Sequence, residues 1–147
     1  MLTPTLICAA VLVVAACVRR IPEGQAYTLR RMDGHVRTLG AGMHFVLPLI
    51  ERVAHKIRLL GNVVAIEPIA VPGQNATLSG EVYYQVLDAK RADTIIDEVS
   101  LRVREQLPRL LAEAADGDGA ERNLQLKSGL NRMLRDSGLL ITRVRLG

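Results

Sequence analysis

The pattern of apolar and polar positions changes its period along this 147-residue chain. Leu6 to Val18 is apolar on all sides, and no charged residue occurs before Arg19. From Gln25 the spacing falls to two, with Ala26 alternating against Tyr27 and Leu29, which predicts a strand to Arg31. Asp33-Gly34 is a hairpin signal, and the return strand runs through Val36 and Leu39. A second alternation puts Val53, His55, Ile57 and Leu59 on one face and Ala54, Lys56 and Arg58 on the other. Asn62 to Ile66 predicts a further strand closed by Pro68, and Pro72 to Asn75 a turn. Ala76 to Leu87 is the clearest strand: Leu78, Gly80, Val82, Tyr84 and Val86 share one face, Thr77, Ser79, Glu81, Tyr83 and Gln85 the other.

The period then lengthens to about 3.6. Ala92, Ile95, Ile96, Val99, Val103, Leu107, Leu110 and Leu111 fall on one face of a helix that kinks or restarts at Pro108, whose ring meets the carbonyl four residues back. Gly117-Asp-Gly119 breaks it. A second helix is expected from Ala120 to Ser137, N-capped by Asp118, with Leu126, Leu130, Met133 and Leu134 as its stripe and Gly138 as C-cap. Leu139 to Leu146 reads as a last strand. Strands, helices and a strand make an α+β domain at 21–147, preceded by a membrane anchor at 1–20.

The first segment carries the strongest physical signal. Met1 to Val18 would be roughly 27 Å long as a helix, against a hydrocarbon core of about 30 Å. Its eight Leu, Ile and Val residues, at roughly −0.4 kcal/mol each, favour insertion by about 3 kcal/mol. Leu6, Ile7, Val11, Leu12, Val13, Val14 and Val18 are the anchor residues, and Arg19 and Arg20 meet the headgroups. Those arginines follow the segment and only the α-amine precedes it, so the positive-inside rule puts the body in the cytoplasm; arginine greatly outnumbers lysine, which is compatible with a bacterium of GC-rich genome and hence with its inner membrane. A cleaved signal peptide lacks the basic start it would need. Val14-Ala-Ala-Cys17 also has the form of a lipobox. Acylation of Cys17 would make the chain a lipidated or exported binding module.

Gly40-Ala-Gly-Met-His-Phe-Val-Leu-Pro48 stands between the second and third strands. Its glycines permit positive φ, and Pro48 makes it a poor central strand. His44 reads as structural, its ring fixing the loop through a backbone contact. Phe45, Leu47 and Leu49 are either core or a surface that dips into the bilayer, core being the commoner use of such a run.

Pro22-Glu-Gly24 followed by Ala41-Gly-Met-His-Phe-Val-Leu-Pro48 resembles the SPFH or band-7 family of stomatin, prohibitin and flotillin. Tyr83-Tyr-Gln-Val-Leu-Asp88 and the final Leu140-Ile-Thr-Arg-Val-Arg145 are similar to the same domain. The resemblance covers about residues 21–146 and is loosest from Leu107 to Arg122. It implies an antiparallel sheet with two or three helices and a membrane-proximal loop at Gly40, Gly42, His44, Phe45 and Pro48. It also implies a non-enzymatic scaffold that self-associates, or joins other band-7 proteins, and organises a membrane client such as a protease. The family's coiled coil should follow the last strand, whereas this sequence ends at Gly147. It therefore reads as a short member, without the family's large rings, or as an accessory subunit of a longer relative's assembly.

Composition adds exclusions. Net charge is +4 and aromatics are scarce, with no Trp. Acids and arginines alternate, so neither a basic stripe nor a base-stacking platform supports nucleic acid as partner. Both cysteines, Cys8 and Cys17, lie in the apolar segment, leaving no zinc or disulfide framework. His35, His44 and His55 have no acidic partner at ligand spacing, and no nucleophile elbow or phosphate loop occurs. No catalytic residue, metal or cofactor is expected.

Overall fold

The computed structural model describes residues 2–71, 75–114 and 118–147, with side chains from Thr5 onward. The expected turn at Pro72 to Asn75 and the break at Gly117 fall largely outside the described residues. The architecture is α+β with antiparallel sheets, as the change of period implies. It forms two compact units, Met1–Ile57 and Arg58–Gly147, a division that the periodicity does not mark.

The N-terminal unit opens with α1 (Leu2–Cys17), followed by β1 (Val18–Ile21), β2 (Gln25–Arg31), β3 (Val36–Leu39), β4 (Gly42–Phe45) and β5 (Glu51–Arg58), whose last residue belongs to the next unit. The first loop is a turn closed by a bond from Gln25 N to Pro22 O. Asp33-Gly34 turns the chain from β2 to β3, with Gly34 at φ +87°. β2 is the middle strand of a sheet ordered β3-β2-β5. It has buried residues on both faces: Ala26 and Thr28 on one, Leu29 on the other. Thr28 is the one buried polar residue among the described residues, and its hydroxyl accepts from His55 N at 3.2 Å, tying β2 to β5. Ile21, Leu29, Leu39 and Val46 form the core, with Tyr27 packed against it.

The C-terminal unit holds β6 (Asn62–Ala70), β7 (Thr77–Val86), α2 (Ala89–Ala92), α3 (Val99–Glu113), α4 (Gly119–Leu134), a 3₁₀ turn (Arg135–Ser137) and β8 (Leu139–Leu146). Its sheet is antiparallel in the order β6-β7-β8. Two bulges shift which residues face inward. β6 does not stop at Pro68. It absorbs that residue, which cannot donate to a ladder, in a bulge between Ile66 and Ile69 and continues to Ala70. In β8 an extra residue, Thr142, lies between the partners of Tyr83 and Tyr84, so the buried set moves from Leu139 and Ile141 to Val144 and Leu146.

The helices depart from expectation in two places. The chain makes one short turn of helix at α2, leaves it, and restarts at Val99. Asp88 caps α2, accepting from Lys90 N and Arg91 N. Pro108 then sits inside α3 without ending it. It lies on the exposed side, where its ring and the freed carbonyl of Arg104 face solvent. The inward ridge is Val99, Val103, Leu107 and Leu111. On α4, capped by Asp118, Leu126, Leu130 and Leu134 are buried, whereas Met133 points outward at 42 % exposure. Gly138 takes the left-handed conformation at the C-cap, and a Cβ there would stand 2.6 Å from the Asp88 carbonyl oxygen.

Candidate functional site

The N-terminal unit exposes more apolar side chain than a water-facing surface requires. On α1 the six anchor residues from Leu6 to Val14 are between 51 and 71 % exposed. They point in every direction around the helix. At sixteen residues α1 rises about 24 Å, and none of the helices among the described residues is long and apolar enough to cross a membrane. The helix stops at Cys17, one residue before the expected end. Cys17 is buried, and its carbonyl accepts from Val46 N at 2.8 Å. The lipoprotein route, which cleaves on the N-terminal side of the acylated cysteine, would remove all of α1 except Cys17.

Val18, Arg19 and Arg20 belong to β1, a strand that the alternation did not reveal because it is only four residues long. Its partner is β4, in the register Val18↔Phe45, Arg19↔His44, Arg20↔Met43 and Ile21↔Gly42. The glycine-rich run is therefore paired directly with the residues that follow α1. Gly42 takes φ +130°, and Gly40 does not have positive φ; it contributes its carbonyl instead. That oxygen accepts from His44 Nε2 at 2.9 Å, the backbone contact expected for this ring, and it fixes the proton on Nε2.

Beyond β4 the chain makes a tight turn with Pro48 at its second position, where a fixed φ near −65° is favoured. Ile50 N and Glu51 N both bond to Leu47 O, and Leu47 N bonds to the Glu51 carboxylate at 3.4 Å. The turn holds Leu49 out at 90 % exposure. Met43, Phe45, Leu47 and Ile50 are exposed with it, and Val46 alone of this run is core. Core packing, the commoner use of such a run, is thus not what Phe45, Leu47 and Leu49 do in this fold.

Charge divides as sharply as hydrophobicity. Residues 1–57 contain seven Arg and Lys against three Asp and Glu, while residues 58–147 contain twelve of each. All of the net +4 therefore lies in the unit that carries fourteen of the twenty exposed large apolar side chains among the described residues. Three of its cations, Arg19, Arg20 and Lys56, border a cavity of about 280 Å³ floored by Ile21, Leu29, Leu39 and Val46. Lys56 Nζ stands 5.5 Å from the centre of the Tyr27 ring.

His35 follows the β2–β3 turn, His44 lies in β4 and His55 in β5. Among the described residues no group of three His, Cys, Asp or Glu side chains could hold a metal ion. Two phenols have raised pKa values: Tyr83 through its hydrogen bond to Glu81, and Tyr84 through burial.

No family model matches the chain. It is similar to uncharacterised proteins of Mycobacterium bovis and of two strains of Mycobacterium tuberculosis, each 29 % identical over 129 residues. The match takes in 86 % of this chain and 34 % of each relative, so the chain spans about a third of the length of the curated proteins it resembles.

Proposed function

We propose that this chain is a membrane-anchored, non-enzymatic scaffold of the SPFH or band-7 kind, which associates with itself or with other band-7 proteins and gathers membrane-protein clients. One observation carries the reading: the exposed apolar helix, the exposed Met43–Ile50 run and all of the net positive charge occupy the same unit. In water the α1 side chains would stay hydrated, at about 25 cal/mol for each Å² of apolar surface. A bilayer removes that cost for every direction at once. At about 24 Å the helix is shorter than a hydrocarbon core of about 30 Å, so spanning requires local thinning, with Arg19 and Arg20 at the headgroups. The unit is then held against a bacterial inner membrane on its cytoplasmic side, with Leu49 and Phe45 entering the interface. Tethering reduces the search for partners to two dimensions and raises their effective concentration, which is what a scaffold needs.

The chain has no Trp, so a single substitution makes a clean reporter. Leu12→Trp, Leu49→Trp and, in the other unit, Leu124→Trp would each be reconstituted in phosphatidylcholine vesicles containing brominated lipid. The expected result is quenching at positions 12 and 49 and none at 124. An unquenched Trp at 12 sinks the membrane reading. Quenching at 12 with none at 49 removes the loop from the interface and leaves the anchor standing.

A further inference from the structure

We infer that the cavity bordered by Arg19, Arg20 and Lys56 is a binding site for the phosphate of an anionic phospholipid headgroup. Arg19 shares its face of β1 with Ile21, which belongs to the apolar floor, so its guanidinium is on the cavity side, and Arg20 stands at the rim. Lys56 closes the far wall from β5, its ammonium set over Tyr27. Among the described residues no acidic side chain borders the cavity, and none of the three cations is ion-paired. Three uncompensated cations around one concavity repel each other, and a bound anion relieves that repulsion. A guanidinium offers a planar fork of donors that matches two phosphate oxygens, and an ammonium adds a point charge.

The floor distinguishes a lipid from a free anion. Above the buried Ile21, Leu29, Leu39 and Val46, the half-buried Tyr27 and the exposed Val53 add apolar surface beside the charges, which suits the glycerol and first methylenes of a lipid and gives inorganic phosphate nothing. The position agrees. Arg19 and Arg20 are the second and third residues after Cys17, within about 10 Å of the end of α1 along the strand. The inference rests on the membrane reading for its source of ligand, and it adds to that reading a chemical preference among lipids.

The test uses the full chain in a neutral detergent, titrated with dihexanoyl phosphatidylglycerol, dihexanoyl phosphatidylcholine or inorganic phosphate and followed by calorimetry. Saturable binding of the phosphatidylglycerol, about ten-fold or more tighter than the other two, is expected. Lys56→Gln and Arg19→Gln should each weaken it by about ten-fold, while Arg30→Gln, which removes the same charge from an exposed position outside the cavity, should change it little. Equal binding of the two lipids overturns the site, and so does an Arg30 variant as weak as the Lys56 one. Inorganic phosphate binding as tightly as phosphatidylglycerol overturns the assignment to lipid. Phosphatidylcholine vesicles carry no anionic lipid, so Trp quenching in them can succeed where this titration fails, and the two readings can be separated.

Discussion

At the scale of single residues, asparagines finish what the strands leave open. Asn131 donates to Ile141 O at 3.0 Å and accepts from Ile141 N at 2.7 Å, satisfying both backbone groups next to the Thr142 bulge. Asn123, two turns earlier on α4, does the same for Leu146 with longer bonds of 3.3 and 3.4 Å. Asn131→Ala strands a partly buried donor and acceptor and should cost about 1–3 kcal/mol, with Asn123→Ala costing less. Urea unfolding of both variants measures the difference, and equal losses would mean that the amide pairing is not the cause. Tyr84 gives a pH prediction with a definite sign. Burial raises its pKa above the ordinary value of 10.0, so the folded state holds the phenolic proton more tightly than the unfolded state. Its contribution is complete below pH about 10 and is lost as pH rises through the folded value. Wild-type stability should fall more steeply than that of Tyr84→Phe as pH rises above about 10; parallel curves would refute this.

At the scale of elements, α3 carries a defect that its surroundings tolerate. Pro108 deprives the Arg104 carbonyl of its helical partner, and the site faces water on the outer side of the helix. Nothing in the packing requires the ring, since the inward ridge is formed by Val103, Leu107 and Leu111. Pro108→Ala restores the donor and should stabilise the C-terminal unit by about 1–3 kcal/mol, visible as a higher urea midpoint with an unchanged slope. A lower midpoint would mean that the proline earns its place through the unfolded chain instead. In β7, Gly80 is required by approach rather than by turning, because a Cβ there would overlap the Arg145 carbonyl oxygen. The alternation placed it on the inner face, yet no pattern could show how close β8 comes.

At the scale of the molecule, the sheet of the C-terminal unit has both edges blunted from its own helices. Arg104 donates to Ala65 O on β6 at 3.1 Å and pairs with Glu67, while Asn123 and Asn131 occupy β8. Edges filled in this way resist strand addition by another copy. Self-association through added strands is therefore disfavoured at this sheet, and contacts there have to be made by side chains. Light scattering of the full chain in mild detergent should return the mass of several subunits. A monomer would remove self-scaffolding and leave a tethered binding module.

Elements with a local signal were legible from the chain alone: the apolar first helix, the Asp33-Gly34 hairpin, the alternating β7, the Asp118 and Gly138 caps, and the α+β order. Each depends on a period or a backbone preference that a few neighbouring residues complete. Tertiary structure decided the rest. Strand β1 is too short for a period and exists because β4 lies beside it. The bulges at Pro68 and Thr142 reverse the parity of β6 and β8, and only the partner strand reveals a reversal. Pro108 stays within a helix because of which side meets water. Met133 leaves the apolar stripe for the same reason, since a ridge of every fourth residue already fills the contact. Arg19 and Lys56 lie 37 positions apart in the chain, and they border one cavity because the fold brings β1 and β5 to its walls, with Ile21 and Val53 beside them.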